Sequence, residues 1–227
     1  MATVPPTSAF PPPSGLAPPG LRLASVHHLP LAQTDDAALA RAAAEGHPAA
    51  ASVAWDRFSP LVRGLLRRSL GPSVDVEDQV QEVFLRFFRQ IPTLRDPARV
   101  RSFLIGITVR VAGTEIRKRR VRRWLRLTDT GAVPEESTTL DEDAREAVTR
   151  LYAILDGMGA DERLAFVLRH VEGLELTEVA AGLDVSLATA KRKLARATAR
   201  VFARVERDPV LSAYLGPRPR TDEEGVE

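Results

Sequence analysis

Apolar residues recur at spacings of three and four between Thr34 and Arg207, and no stretch alternates with period two among β-branched residues. The pattern predicts helices and no sheet. Thr34 or Asp35 is placed to cap a first helix through Leu39 and Ala43, ended near Gly46-His47-Pro48. A second helix carries Trp55, Phe58, Leu61, Val62 and Leu65 and stops at Gly71-Pro72. A third starts between Ser73 and Asp75, with Asp75, Glu77 and Asp78 at its positive end. Its apolar stripe is Val76, Val80, Val83, Phe84, Phe87 and Ile91, and Pro92 ends it. A loop, Thr93 to Pro97, leads to a fourth helix with Val100, Phe103, Leu104, Ile107 and Val111 on one face.

A second helical unit follows. Val148, Leu151, Tyr152, Leu155 and Met158 form one stripe, and Leu164, Val167, Leu168 and Val171 another. Past Gly173, a short helix carries Leu176, Val179, Ala180 and Leu183, and Asp184-Val185 forms a tight turn. Leu187, Ala190, Leu194, Ala197 and Val201 line the inner face of a longer helix. The expected fold class is all-α: two small helical domains joined by a flexible acidic linker.

Proline marks the ends. Eight of 17 prolines fall within residues 1–30, and proline removes backbone donors and blocks helix. Residues 1–33 therefore read as a disordered tail, either a plain solvated segment or a docking stretch. Pro209, Pro217 and Pro219 with an acidic end mark 208–227 as a loose tail. The expected units are 34–126, a linker at 127–147 and a second unit at 148–207.

Charge changes this picture. Lys+Arg number 32 against 30 Asp+Glu, a net +2, which taken alone argues against a nucleic-acid binder. Locally the balance breaks. Residues 99–126 hold ten basic residues and one acid, and Thr128 to Ala147 carries seven acids against Arg145 alone. There is no Cys, which excludes disulfides and thiolate chemistry, and no Asn; His27, His28, His47 and His170 are too scattered for a zinc cluster. No metal and no cofactor is expected. No apolar run approaches the ~20 residues of a membrane span. The N-terminus lacks a basic leader region. A cytoplasmic protein is expected, with no membrane insertion.

The candidate chemistry lies in basic helices. Leu176–Val201 reads as helix, short turn, helix, with Lys191, Arg192, Lys193, Arg196 and Arg200 away from the apolar face. That suits a helix-turn-helix, whose second helix enters the major groove, where Arg reads guanine and Lys and Arg grip phosphate. The bland alternative is an amphipathic helix with a solvated basic face. The run at 117–126 fits phosphate binding, a solvated cationic helix end, or a membrane surface, given Trp124 and Leu125 among its arginines. Asp75, Glu77 and Asp78, with Glu82 beyond them, invite a metal or acid-base site, but acids in a first helical turn are expected from the helix dipole alone. No His, phosphate loop or serine motif stands near to make them catalytic, so no enzyme is expected.

At Asp75–Phe88 the run DVEDQVQEVFLRFF resembles region two of the group-four, extracytoplasmic-function sigma factors of bacterial RNA polymerase, and Leu151–Arg204 resembles their region four. The most specific stretch is EGLELTEVAAGLDVSLATAKRKLARATAR at Glu172–Arg200. The resemblance implies a promoter-specificity subunit. Asp78, Gln81, Glu82 and Phe84 match positions that contact the β′ clamp helices of core polymerase. Arg110, Thr114, Arg117 and Arg120 lie on or near the side that engages the minus-ten element, with Thr93–Arg101 as the lip of a flipped-base pocket. Lys191, Arg192, Ala195 and Arg196, with Arg200 beside them, fall where the family reads the minus-thirty-five element. Core polymerase with its β flap, promoter DNA and an anti-sigma factor are the implied partners, and the acidic linker would thread a basic channel.

Three positions depart from the family: Arg110 stands where Asn is usual, Thr114 where Asp is, and Phe103 where Trp is. Arg110 adds phosphate affinity and gives up base-specific hydrogen bonds. Besides a working sigma subunit, the residues leave open a sigma-like regulator with degenerate minus-ten recognition, or an interaction protein that sequesters an anti-sigma partner.

Overall fold

A computed structural model describes residues 34–72, 74–125 and 142–215. The proline-rich tail, most of the acidic linker and residues 216–227 lie outside the described residues. Among the described residues every regular element is helical.

Helix α1 (Asp36–Ala44) starts where Asp35 accepts a hydrogen bond from the amide of Ala38 at 2.6 Å. Helix α2 (Pro48–Leu70) has proline at its first position, where no amide partner is lost. It tolerates Pro60 on its exposed side and ends at Gly71, whose φ of 106° suits glycine. Helix α3 (Glu77–Gln90) buries Val80, Val83, Phe84 and Phe87. The Phe84 ring lies tilted against Trp55 at 4.6 Å and edge-on to Phe87 at 6.2 Å, centroid to centroid. The Thr93–Pro97 loop lies between two 3-10 turns, Ile91–Thr93 and Pro97–Arg99.

Helix α4 (Val100–Leu125), about 39 Å long, is the axis of the molecule. Around its first half Leu104, Ile107, Thr108, Val109, Val111 and Ala112 are all buried, so more than half of its circumference is covered, while Arg101, Ser102 and Arg110 remain exposed. Helices α2 and α3 cover one side; α6 (Ala160–Phe166) and α7 (Leu176–Leu183) pack against another. Gly113 permits this approach, since a Cβ there would stand 3.3 Å from a Leu164 methyl. One apolar cluster therefore runs from α1–α4 into Leu164, Ala165, Leu168 and Val179. A second holds Ala147, Leu155, Met158, Phe166, Ala197, Val201 and Leu211.

Helix α3 starts two residues later than expected, and two of the expected unit boundaries differ. Helix α5 (Glu142–Asp156) begins inside the segment read as linker. Glu142 and Asp143 favour a helix N-terminus, and Glu146 pairs with Arg150 at 2.6 Å across one turn. The chain also forms α9 (Pro209–Leu215), where a loose tail was expected. Asp208 accepts from the amides of Val210 (3.0 Å) and Leu211 (3.3 Å) and meets Arg150 at 2.9 Å. Pro209 thus starts a helix, and Leu211 is buried in the second cluster.

Candidate nucleic-acid interface

The helix-turn-helix is built locally. Glu175 donates its amide to the Glu178 carboxylate (2.9 Å) at the start of α7. Asp184 takes a left-handed conformation, φ 55°, to make the turn. Ser186 caps α8 (Leu187–Val205), accepting from the amide of Thr189 at 3.2 Å. Helix α8 buries Ala190, Ala197, Val201 and Val205 and leaves Lys191, Arg192, Ala195, Arg196 and Arg200 exposed. Arg192 donates to Thr189 Oγ1 at 3.3 Å, and Arg200 lies 3.6 Å from Glu162. Lys191 and Arg196 have no carboxylate partner among the described residues. Lys193, read with the outward basic face, is half-buried and bonds Asp161 of α6 at 2.9 Å.

The four candidate DNA residues of α4 separate. Arg110 is exposed. Thr114 donates to the Arg110 carbonyl (2.9 Å) and lines a cleft with Asp78, Glu82 and Lys118. Arg117 faces α6, 3.6 Å from Asp161. Arg117 and Arg120 share a surface cleft with Asp161, Glu162, Lys193 and Arg200. Basic residues from the two helical sets, far apart in sequence, thus line one cleft.

The candidate polymerase contacts also divide. Asp78 and Gln81 are exposed, and Glu82 accepts from Arg86 Nε at 2.7 Å. Phe84 is only 2% exposed, held in the aromatic core. Its side chain orients α3 from within and offers no surface to a partner. Leu85, overlooked in the stripe reading, is 53% exposed. It sits at the helical spacing that shares a face with Asp78, Gln81 and Glu82. Its signal in the sequence was a large apolar residue one position off the buried stripe.

Ion pairs join the elements. Asp36 meets Arg57 at 3.3 Å and Arg101 at 2.5 Å. Burial alone raises its carboxyl pKa, but the two guanidiniums outweigh burial and hold it below the usual carboxylate range. Arg68 pairs with Glu172 (Nη2 at 2.8 Å), and Tyr152 donates to the Arg68 carbonyl at 2.8 Å. Burial pushes the Tyr152 phenol up. No group of three or more His, Asp or Glu suited to a metal occurs among the described residues, and no described helix is long and apolar enough to cross a membrane.

Two family models match: Sigma-70 region 2 at residues 54–122 and Sigma-70, region 4 at residues 148–201. The ferric citrate uptake sigma factor FecI of Escherichia coli is 32% identical over 142 residues, 60% of this chain and 79% of that protein. The ECF RNA polymerase sigma factor SigE of Mycolicibacterium smegmatis is 32% identical over 155 residues, 65% of this chain and 60% of that protein. Among solved structures, CnrH in complex with the cytosolic domain of CnrY aligns with a TM-score of 0.54 and 24% identity, covering 76% of this chain and 98% of that one. That likeness concerns the fold.

Proposed function

The chain belongs to the extracytoplasmic-function group of the sigma-70 family, and from that premise we propose how its residues divide the work of promoter recognition. A sigma factor of this family directs promoter-specific transcription by RNA polymerase and is not an enzyme. The observation that carries the finer reading is the pairing, in one chain, of an exposed acidic-apolar face on α3 with an exposed basic face on α8. Asp78, Gln81, Glu82 and Leu85 dock on the β′ clamp helices, with Phe84 holding their helix in place. Lys191, Arg192, Ala195, Arg196 and Arg200 read the minus-thirty-five element from the major groove. Arg110, Thr114, Arg117 and Arg120 engage the minus-ten region, mainly through phosphate.

The polymerase- and minus-ten-binding unit covers residues 34–126, and the minus-thirty-five unit starts near Glu142, where α5 begins. The β flap is the partner of that second unit. An anti-sigma factor is a further partner, a reading supported by the resemblance to CnrH, whose structure holds the cytosolic domain of CnrY. The site of action is the cytoplasm, where polymerase and promoter are.

Run-off transcription with core polymerase and a genomic promoter library tests this reading. The expected outcome is start sites sharing one motif pair. A protein that binds core yet yields no promoter-dependent product would leave a sigma-like regulator, which the Arg110 and Thr114 replacements favour.

A further inference from the structure

Residues 99–126 carry ten basic residues and a single acid, Glu115. That acid is not a solvated counter-charge. It is only 9% exposed, beside Thr114 and Lys118 in the cleft between α4 and α3. Its Oε1 accepts from Arg119 Nε at 2.8 Å, one turn on, and from Arg122 Nη2 at 3.0 Å, two turns on. Glu one turn before a cation is the favoured order on a helix. Drawing both arginines away leaves a buried carboxylate uncompensated, which is strongly unfavourable. A phosphate on the surface of DNA therefore competes poorly for Arg119 and Arg122.

Helical geometry turns other arginines elsewhere. At about 100° per residue, Glu115, Arg119 and Arg122 fall within about 60° of one another, and Arg110, Arg117 and Arg120 fall within about 80° on the far side. Arg110 and Arg120 are exposed and have no carboxylate partner among the described residues. Arg117 meets Asp161 at 3.6 Å, across the joint with α6. The arginine-rich end of α4 thus has a tied face and an open face, and one buried acid makes the division.

We propose that Glu115 is a positioning residue for DNA binding: it withholds Arg119 and Arg122 from phosphate, so that α4 meets the backbone with the row Arg110, Arg117 and Arg120. Withholding two charges limits sequence-independent binding, because that binding scales with the number of phosphates neutralised. The inference rests on the reading of α4 as a DNA-contacting helix.

The salt dependence of duplex binding counts the phosphates engaged and tests the proposal. The full-length protein, free and assembled with core polymerase, is titrated by fluorescence anisotropy against a labelled duplex of arbitrary sequence at about 50 to 200 mM salt. Arg110→Gln and Arg120→Gln are each expected to reduce the magnitude of the slope of log K against log salt by about 0.9, whereas Arg119→Gln and Arg122→Gln leave it within about 0.3. Glu115→Gln releases both arginines and raises the magnitude by about 1–2, with tighter binding. A purely structural role for Glu115 predicts the opposite sign, since a frayed helix end loses contacts. If Glu115→Gln fails to fold, the single variants Arg119→Gln and Arg122→Gln against Arg120→Gln decide. A slope reduced as much by Arg119→Gln or Arg122→Gln as by Arg120→Gln, or not raised by a folded Glu115→Gln, overturns the proposal. No effect of Arg110→Gln and Arg120→Gln in either form removes α4 from the DNA interface, and the proposal with it.

Discussion

Arg196 shows how little decides a recognition residue: it is exposed on α8 and has no carboxylate partner among the described residues. Its neighbour Lys193 carries the same charge yet is held by Asp161. A freely presented guanidinium reads a base without first breaking an ion pair. Arg196→Ala is expected to weaken minus-thirty-five binding by about 1–3 kcal/mol and to relax specificity there; gel-shift titration against base-substituted duplexes checks this. Asp36 belongs to this scale as well. Its folded pKa lies below the ordinary value, so its stabilising effect is present above the unfolded pKa and is lost as pH falls through the folded one. Asp36→Asn is expected to cost about 1 kcal/mol at neutral pH. The variant loses less stability than the parent on acidification below about pH 4. Denaturant unfolding across that range measures both.

At the scale of elements, α9 and the start of α5 are linked. Arg150 of α5 binds Asp208, which caps α9, and Leu211 closes the second apolar cluster. Leu211→Ala is expected to destabilise the protein by about 2–5 kcal/mol, as for other buried Leu truncations, read as a shifted urea midpoint. An exposed α9 would give a shift near zero. Neither helix end was legible from apolar periodicity. An acidic run reads equally as linker or as a helix N-terminus, and a proline as a breaker or as a first helical residue. What settles each is a partner from elsewhere in the chain. Helices α1–α4, α7 and α8 were legible from apolar spacing, helped by capping side chains at α1 and α8 and by Gly46, Gly71 and Pro92 at the ends of α1, α2 and α3.

For the whole molecule, the packing of α4 on α6 and α7 has a consequence for the proposed promoter reading. Elements at minus ten and minus thirty-five lie about 25 base pairs apart, about 85 Å along B-DNA. A compact body of about 200 residues has a radius of gyration of only about 16 Å. The closed arrangement cannot reach both, whereas residues 126–141 can extend to about 55 Å. Binding must therefore separate the second helical set, α8 included, from α4, breaking Arg117–Asp161 to α6 and Arg123–Asp156 to α5. The chain has no Cys, so Arg41→Cys and Ser212→Cys can be labelled cleanly for energy transfer. The distance is expected to be short in the free protein and to rise by tens of ångströms with core polymerase and a promoter duplex. A distance that stays the same contradicts opening.

The sequence alone determined the helical class, the helix-turn-helix and the segregation of charge, because each is written in local spacing; the family resemblance rested on the residue runs at Asp75–Phe88 and Glu172–Arg200. Only the tertiary structure decided which of those residues are free to act. Lys193 became tied to α6, Arg117 to the same Asp161, and Arg163 was buried with one donor unmade. Burial and pairing depend on residues distant in the chain, and no helical period encodes which distant carboxylate a given arginine will meet.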